Sequence, residues 1–127
     1  QQIFAKMMRR LYDDQCAFCG LSIAPALEAA HIKPWPFCTP AERLLPSNGL
    51  LLCAAHHKLF DAGIMHLTQY HTIEVLDSLS LPAISIADDQ FRRLSGEKAH
   101  LPKDKTHHPS AEFLNFRREW VARIYER

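Results

Sequence analysis

Apolar residues at Ile3, Phe4, Met7, Met8, Leu11 and Tyr12 recur at helical spacing, with Lys6, Arg9 and Arg10 between them. The pattern predicts an amphipathic helix over residues 3–14. Its Arg pair reads as a solvated face, with a phosphate contact as the alternative. A second periodic stretch closes the chain. Phe113, Phe116, Trp120 and Ile124 form one apolar stripe, widened by Leu114, Val121 and Tyr125. It predicts a core-packing helix over residues 110–125 with Ser110 as its cap. Arg117, Arg118 and Arg123 fall to the exposed side, as phosphate contacts or as a solvated face.

Between these helices the period changes. Residues 27–32 and 50–52 are short apolar runs that read as strands, and residues 53–61 read as a helix ended by Gly63. Residues 64–68 and 72–76 alternate as a hairpin. His66 and His71 lie on or beside it and read as ordinary packing or surface residues. Residues 82–86 add an extended piece. Residues 87–94 suggest a short helix, with Asp88 near its start and Arg92 and Arg93 near its end, as the helix dipole favours. Pro34, Pro36, Pro40 and Pro46 predict a long ordered loop over 33–47. Residues 96–109 form a polar loop. The mixture is an α+β fold.

Composition narrows this picture only a little. A chain of 127 residues that is 47% hydrophobic suits one domain spanning 1–127. A net charge of +1 argues against a strongly basic binder and leaves nucleic-acid contact to local patches. No apolar run approaches the roughly 18 residues of a membrane span, and no signal-peptide pattern opens the chain. The expected compartment is reducing and cytoplasmic.

The 4 cysteines change more. Cys16 and Cys19 stand two residues apart, a spacing suited to metal or redox chemistry rather than to a disulfide framework. A thiol redox motif opens a helix after a strand, whereas this pair follows a helix and precedes a loop. Cys53 and His56 repeat the spacing where a strand runs into a helix. Four N or S ligands in two short clusters are what tetrahedral Zn2+ requires. Gly20 permits the tight turn after Cys19. In the rival reading Cys53 is a core residue and the knuckle binds nothing. Cys38 is by default a packed thiol, with replacement of His56 as its alternative. His57 is a further alternative to His56.

His31, Asn48 and His57 supply the elements of phosphodiester hydrolysis. His31 can be the base, because a neutral imidazole titrates near working pH. His57 can hold a divalent cation, and Asn48 can pin the long loop through bonds to backbone. Spacing alone does not single these out among 8 histidines.

The segments Ala29-Ala30-His31-Ile32-Lys33-Pro34-Trp35, Asn48-Gly49-Leu50-Leu51-Leu52 and His57-Lys58-Leu59-Phe60-Asp61 together resemble an HNH endonuclease domain of the ββα-metal, restriction-associated type. The likeness extends to the helix before Cys16 and to Phe116-Arg117-Arg118-Glu119. It implies a ββα-metal core over about 16–63, with a zinc knuckle and a flanking N-terminal helix, small hairpin and C-terminal helix. His31 would be the base on a strand, Asn48 would orient the loop, and His57 on a helix would bind catalytic Mg2+ or Mn2+. Structural Zn2+ would hold the scaffold through Cys16, Cys19, Cys53 and His56. The two imidazoles are expected to converge on one scissile bond. Many such domains carry Asp or His before the base, but here Ala30 stands there. Asp61, one turn after His57, ranks first as replacement ligand, and Glu28, on the same side of the strand as Ala30, second. The resemblance also implies DNA as partner, with cleavage directed by a separate recognition domain or subunit. Double-strand cleavage from one site calls for a homodimer or two successive nicks. The missing acid at position 30 motivates a second reading, a non-catalytic zinc module that binds nucleic acid or a protein partner.

Overall fold

The computed structural model describes residues 1–76 and 85–125, with the backbone alone at Tyr125. Helix α1 spans Gln2–Leu11, and strands β1 (Leu27–His31) and β2 (Gly49–Cys53) follow. Helix α2 is Ala54–Asp61, strands β3 and β4 are Met65–Leu67 and Ile73–Val75, and helices α3 and α4 are Ile86–Arg92 and Ala111–Tyr125. Three short 3-10 turns, Trp35–Phe37, Glu42–Leu44 and Pro46–Asn48, punctuate the proline-rich loop. Of the extended piece read at residues 82–86, residues 82–84 lie outside the described residues, as does the side chain of Tyr125, while Ser85 is extended and Ile86 already opens α3.

β1 and β2 pair antiparallel, from Leu27 opposite Cys53 to His31 opposite Gly49. Opposed residues share a face of the sheet, so His31, Ala29 and Gly49 look one way while Glu28, Ala30, Leu50 and Leu52 look the other. Phe4 and Met8 of α1 cover the first face at Gly49. α2 packs beside the other, where His57 meets Glu28. All five residues of β2 are buried. β3 and β4 form a separate two-stranded ladder.

The ends of α2 have clear causes. Cys53 stands at its N-cap with extended backbone. Gly63 takes φ +75°, and the amides of Gly63 and Ile64 bond the carbonyls of Phe60 and Leu59 at 3.1 and 2.9 Å. α1 ends where Asp13 and Asp14 enter the left-handed region. Ser110 accepts the Phe113 amide at 3.2 Å, and Ser85 accepts that of Asp88 at 3.0 Å. No helix among the described residues is long and apolar enough to cross a membrane.

Of the two terminal helices, α1 buries the apolar stripe that the sequence suggests and α4 buries a shifted one. In α1 the buried set is Phe4 and Met8, continued by Tyr12, while Ile3 is 74% exposed. Arg9 is not simply solvated: its guanidinium donates to the carbonyls of Ala24 and Leu27 at 3.3 and 2.9 Å. In α4 the buried set is Phe113, Leu114, Arg117 and Val121. Phe116 and Trp120 instead meet Phe37 of the long loop, with ring centroids 5.6 and 6.4 Å apart. An arginine at the centre of the buried face shifts the stripe, because its guanidinium finds carbonyl partners inside.

Gly49 lies where α1 crosses the sheet. A β-carbon there would stand 2.5 Å from Phe4 and 2.8 Å from Met8. Gly49→Ala is predicted to destabilise the protein by about 1–3 kcal/mol, by forcing α1 off the strand. Urea unfolding measures it, and an unchanged midpoint would contradict the packing described here.

Candidate metal and catalytic sites

The knuckle is built by backbone first. The Gly20 amide bonds the Cys16 carbonyl at 2.9 Å, with Gly20 at φ +76°, and the Cys16 amide bonds Leu21 at 2.9 Å. The Ala17 amide then bonds Leu51 of β2 at 2.7 Å, which brings Cys16 and Cys19 beside Cys53. His56, on the first turn of α2, completes the group.

The ligand atoms of Cys16, Cys19, Cys53 and His56 all lie within 4.8 Å of one another. Cys16 Sγ is 3.7 Å from His56 Nδ1, and Cys19 Sγ is 4.0 Å from Cys53 Sγ. Ligands about 2.3 Å from a tetrahedral Zn2+ stand about 3.8 Å apart, so the donor set fits that ion. The electrostatics point the same way. Hydrogen bonding from the Cys19 thiol holds Cys16 well below the ordinary thiol range, while the neighbouring Cys16 sulfur pushes Cys19 up and burial pushes Cys53 up. Three sulfurs this close cannot all ionise unless a cation lies among them. Neither alternative ligand belongs to the group. Cys38 donates its thiol to the Lys33 carbonyl at 3.2 Å, and His57 faces Glu28.

The second constellation surrounds β1. His31 Nε2 lies 2.9 Å from the Arg43 carbonyl. A carbonyl only accepts, so Nε2 carries the proton and Nδ1 keeps the lone pair. The ring stacks on Phe4 at 4.1 Å and 13° and meets the Trp35 ring edge-on at 5.4 Å. Burial lowers the His31 pKa from its ordinary 6.5, so the imidazole is neutral at neutral pH.

Asn48 is fully buried and spans the long loop. Its Oδ1 accepts the Lys33 amide at 2.8 Å, and its Nδ2 donates to the Glu42 carbonyl at 3.1 Å and to Cys38 Sγ at 3.4 Å. Glu42 also accepts from Lys33 Nζ at 3.0 Å and from the Thr39 amide at 2.9 Å. Arg43, whose carbonyl holds His31, immediately follows this network. Cys38 and Glu42 carried no sequence signal for the role, since their partners are mostly backbone.

His57 stands between two carboxylates. Its Nδ1 is 2.7 Å from Glu28 Oε1, and its Nε2 is 3.4 Å from Asp61 Oδ2. Glu28 is thus the nearer of the two. Ala30 is buried one pleat along the same face. Because the carboxylates take opposite ring nitrogens, one ion cannot bind all three groups as they stand. The Glu28–His57 pair alone suits two adjacent positions of an octahedral Mg2+ or Mn2+, whose neighbouring ligands stand about 3 Å apart. The strand separates the rings of His31 and His57. They lie on opposite faces of β1, each with its own partners.

Several other histidines and arginines have structural partners. His71 and His108 spend Nε2 on the carbonyls of Pro109 and Pro102, at 2.9 and 2.6 Å. Arg118 pairs with Glu74 at 2.9 Å. Arg117, read from the sequence as exposed, is buried between β1 and α2. Its helical spacing puts it on one face with Phe113 and Val121, but nothing in that spacing marks an arginine for burial.

Residues 16–68 match the family model described as HNH endonuclease. A solved structure of a modification-dependent TagI restriction endonuclease superposes with a TM-score of 0.59 over 92% of this chain, at 19% identity. The chain spans 36% of that protein. None of the curated proteins matches the chain.

If the four-ligand group holds Zn2+, elemental analysis is predicted to find one zinc per chain. Cys53→Ser should lose it together with cooperative folding, since structural zinc contributes about 10–16 kcal/mol in isolated modules. Cys38→Ser should keep it. A Cys53→Ser protein with full zinc content would refute the assignment.

Proposed function

We propose that this chain, whose residues 16–68 match the HNH endonuclease model, is a divalent-metal-dependent nuclease hydrolysing DNA phosphodiester bonds. On this reading residues 1–127 act together as the cleavage module of a restriction or defence system. Target choice would lie in a recognition domain or subunit, a reading supported by the share of the restriction endonuclease that the chain leaves uncovered.

The observation that carries the proposal is the fixed pose of His31. With Nε2–H committed to the Arg43 carbonyl, the ring presents Nδ1 as its free base. Phe4 and Trp35 hold the ring plane, and burial keeps it neutral. Nδ1 would take a proton from the attacking water as the water oxygen bonds to phosphorus and the bond to the leaving sugar oxygen breaks. Asn48 acts at one remove, by tying the two ends of the loop that ends at the Arg43 carbonyl.

His57 and Glu28 would hold the catalytic Mg2+ or Mn2+, with Asp61 steadying the ring from its other nitrogen. When bound, such an ion neutralises charge on the phosphate and the leaving oxygen. Glu28 thereby substitutes for the acid that Ala30 lacks. The base and the metal pair flank one strand. The phosphate must therefore sit at the margin of β1, reached by His31 from one face and by His57 from the other.

Ala30 is also the observation that favours a second reading, a zinc module that binds nucleic acid or a protein without cutting. Divalent-metal-dependent nicking of plasmid by the purified wild type separates the two. His31→Ala is predicted to lower that nicking by about 10²–10⁴-fold while the protein stays folded and zinc-loaded. Equal cutting by the variant would remove His31 from the role of base.

The pH dependence has a definite sign. Burial favours neutral His31, so its activity as a base is present above its lowered pKa and is lost as the pH falls through it. At saturating metal, the acidic limb of the single-turnover rate is expected below pH 6.5, the ordinary imidazole value. A limb above that value would assign the titration to another group.

A further inference from the structure

We propose that Arg117 is a positioning residue for this reaction, a bracket that sets the strand bearing His31 against the helix bearing His57. The inference rests on the nuclease reading above. It concerns a residue that lies outside the segment 16–68 matched by the family model.

Arg117 comes from the middle of α4 and is only 4% exposed. Its Nη1 donates to the carbonyls of His31 and Ile32 at 3.3 and 2.9 Å. Its Nη2 donates to the Phe60 carbonyl at 2.9 Å and lies 3.5 Å from Asp61 Oδ1. One planar group therefore reaches the last residue of β1 and the last turn of α2 at once. The guanidinium also lies over the Phe60 ring, 3.7 Å from its centroid.

A buried cation needs compensation, and this one receives it from specific groups. The Phe60 carbonyl lies at the C-terminus of α2, where the helix dipole is negative. The Asp61 carboxylate touches Arg117 through Oδ1 and His57 through Oδ2, at 3.5 and 3.4 Å. Contacts thus run from the His31 backbone through Arg117 and Asp61 to the His57 ring. Those are the base and the metal-binding imidazole of the proposed reaction, on opposite faces of β1. Glu28 already ties β1 to the His57 ring, and the fork of Arg117 adds a second link, at the end of the strand that carries His31. A lysine keeps the charge but has one nitrogen on a flexible stem and cannot span both elements.

The test compares Arg117→Lys with Val121→Ala, a buried change on the same helix that leaves the bracket intact. Both are assayed for plasmid nicking under Mn2+, well below their unfolding midpoints and normalised to zinc content. Arg117→Lys is expected to lower kcat about 10–100-fold and to raise the Mn2+ concentration required, with little change in KM for DNA. Val121→Ala should lose thermal stability and keep its kcat. Wild-type kcat in folded Arg117→Lys, or an equal kcat loss in Val121→Ala, would overturn the bracket and leave the nuclease reading standing. An uncleaved plasmid with the wild-type protein would overturn the nuclease reading, and with it the bracket's role.

Discussion

A helix of eight residues cannot hold itself. Isolated helices shorter than about 12 residues are marginal in water, so α2 depends on what grips its two ends. At its N-terminus, Cys53 and His56 join Cys16 and Cys19 in a group that suits one tetrahedral ion. At its C-terminus, the Arg117 guanidinium takes the Phe60 carbonyl, and Gly63 turns the chain away. His57 lies between these anchors. Its position relative to the sheet is therefore set by groups from three distant parts of the chain.

The same economy governs His31. One turn of loop backbone, at Arg43, decides which ring nitrogen carries the proton. That backbone is held by Asn48, Glu42, Lys33 and Cys38 through bonds made largely to main-chain groups. The prolines stiffen the loop, but the side-chain network closes it. Phe4 of α1 then fixes the plane of the ring by stacking. α1 reaches this close because Gly49, opposite His31, has no side chain. A catalytic pose would thus rest on contacts made by residues that take no part in chemistry.

Much of this was legible before any fold was known. The strands, α2, the hairpin and the terminal helices follow from periodicity and punctuation, to within a residue or two at most ends. The four-ligand group was readable because two short spacings, Cys16 to Cys19 and Cys53 to His56, each fit one turn of backbone. The buried face of α4 was less legible. An apolar stripe is a statement about average solvation, and it has no means of ranking a buried arginine. Arg117 occupies the core because four oxygens from two other elements are waiting there, and periodicity holds no record of them.

The chain's own order of residues determined everything that depends on neighbours within a turn or two: the helical and extended periods, the caps and the paired ligand spacings. Tertiary structure decided which carboxylate meets His57, that His31 and His57 stand on opposite faces of β1, and that Arg117 joins the two elements. The physical reason is that these are contacts between groups as many as 86 positions apart, many of them to backbone carbonyls. Every residue has such a carbonyl, so only the folded path of the chain can select one.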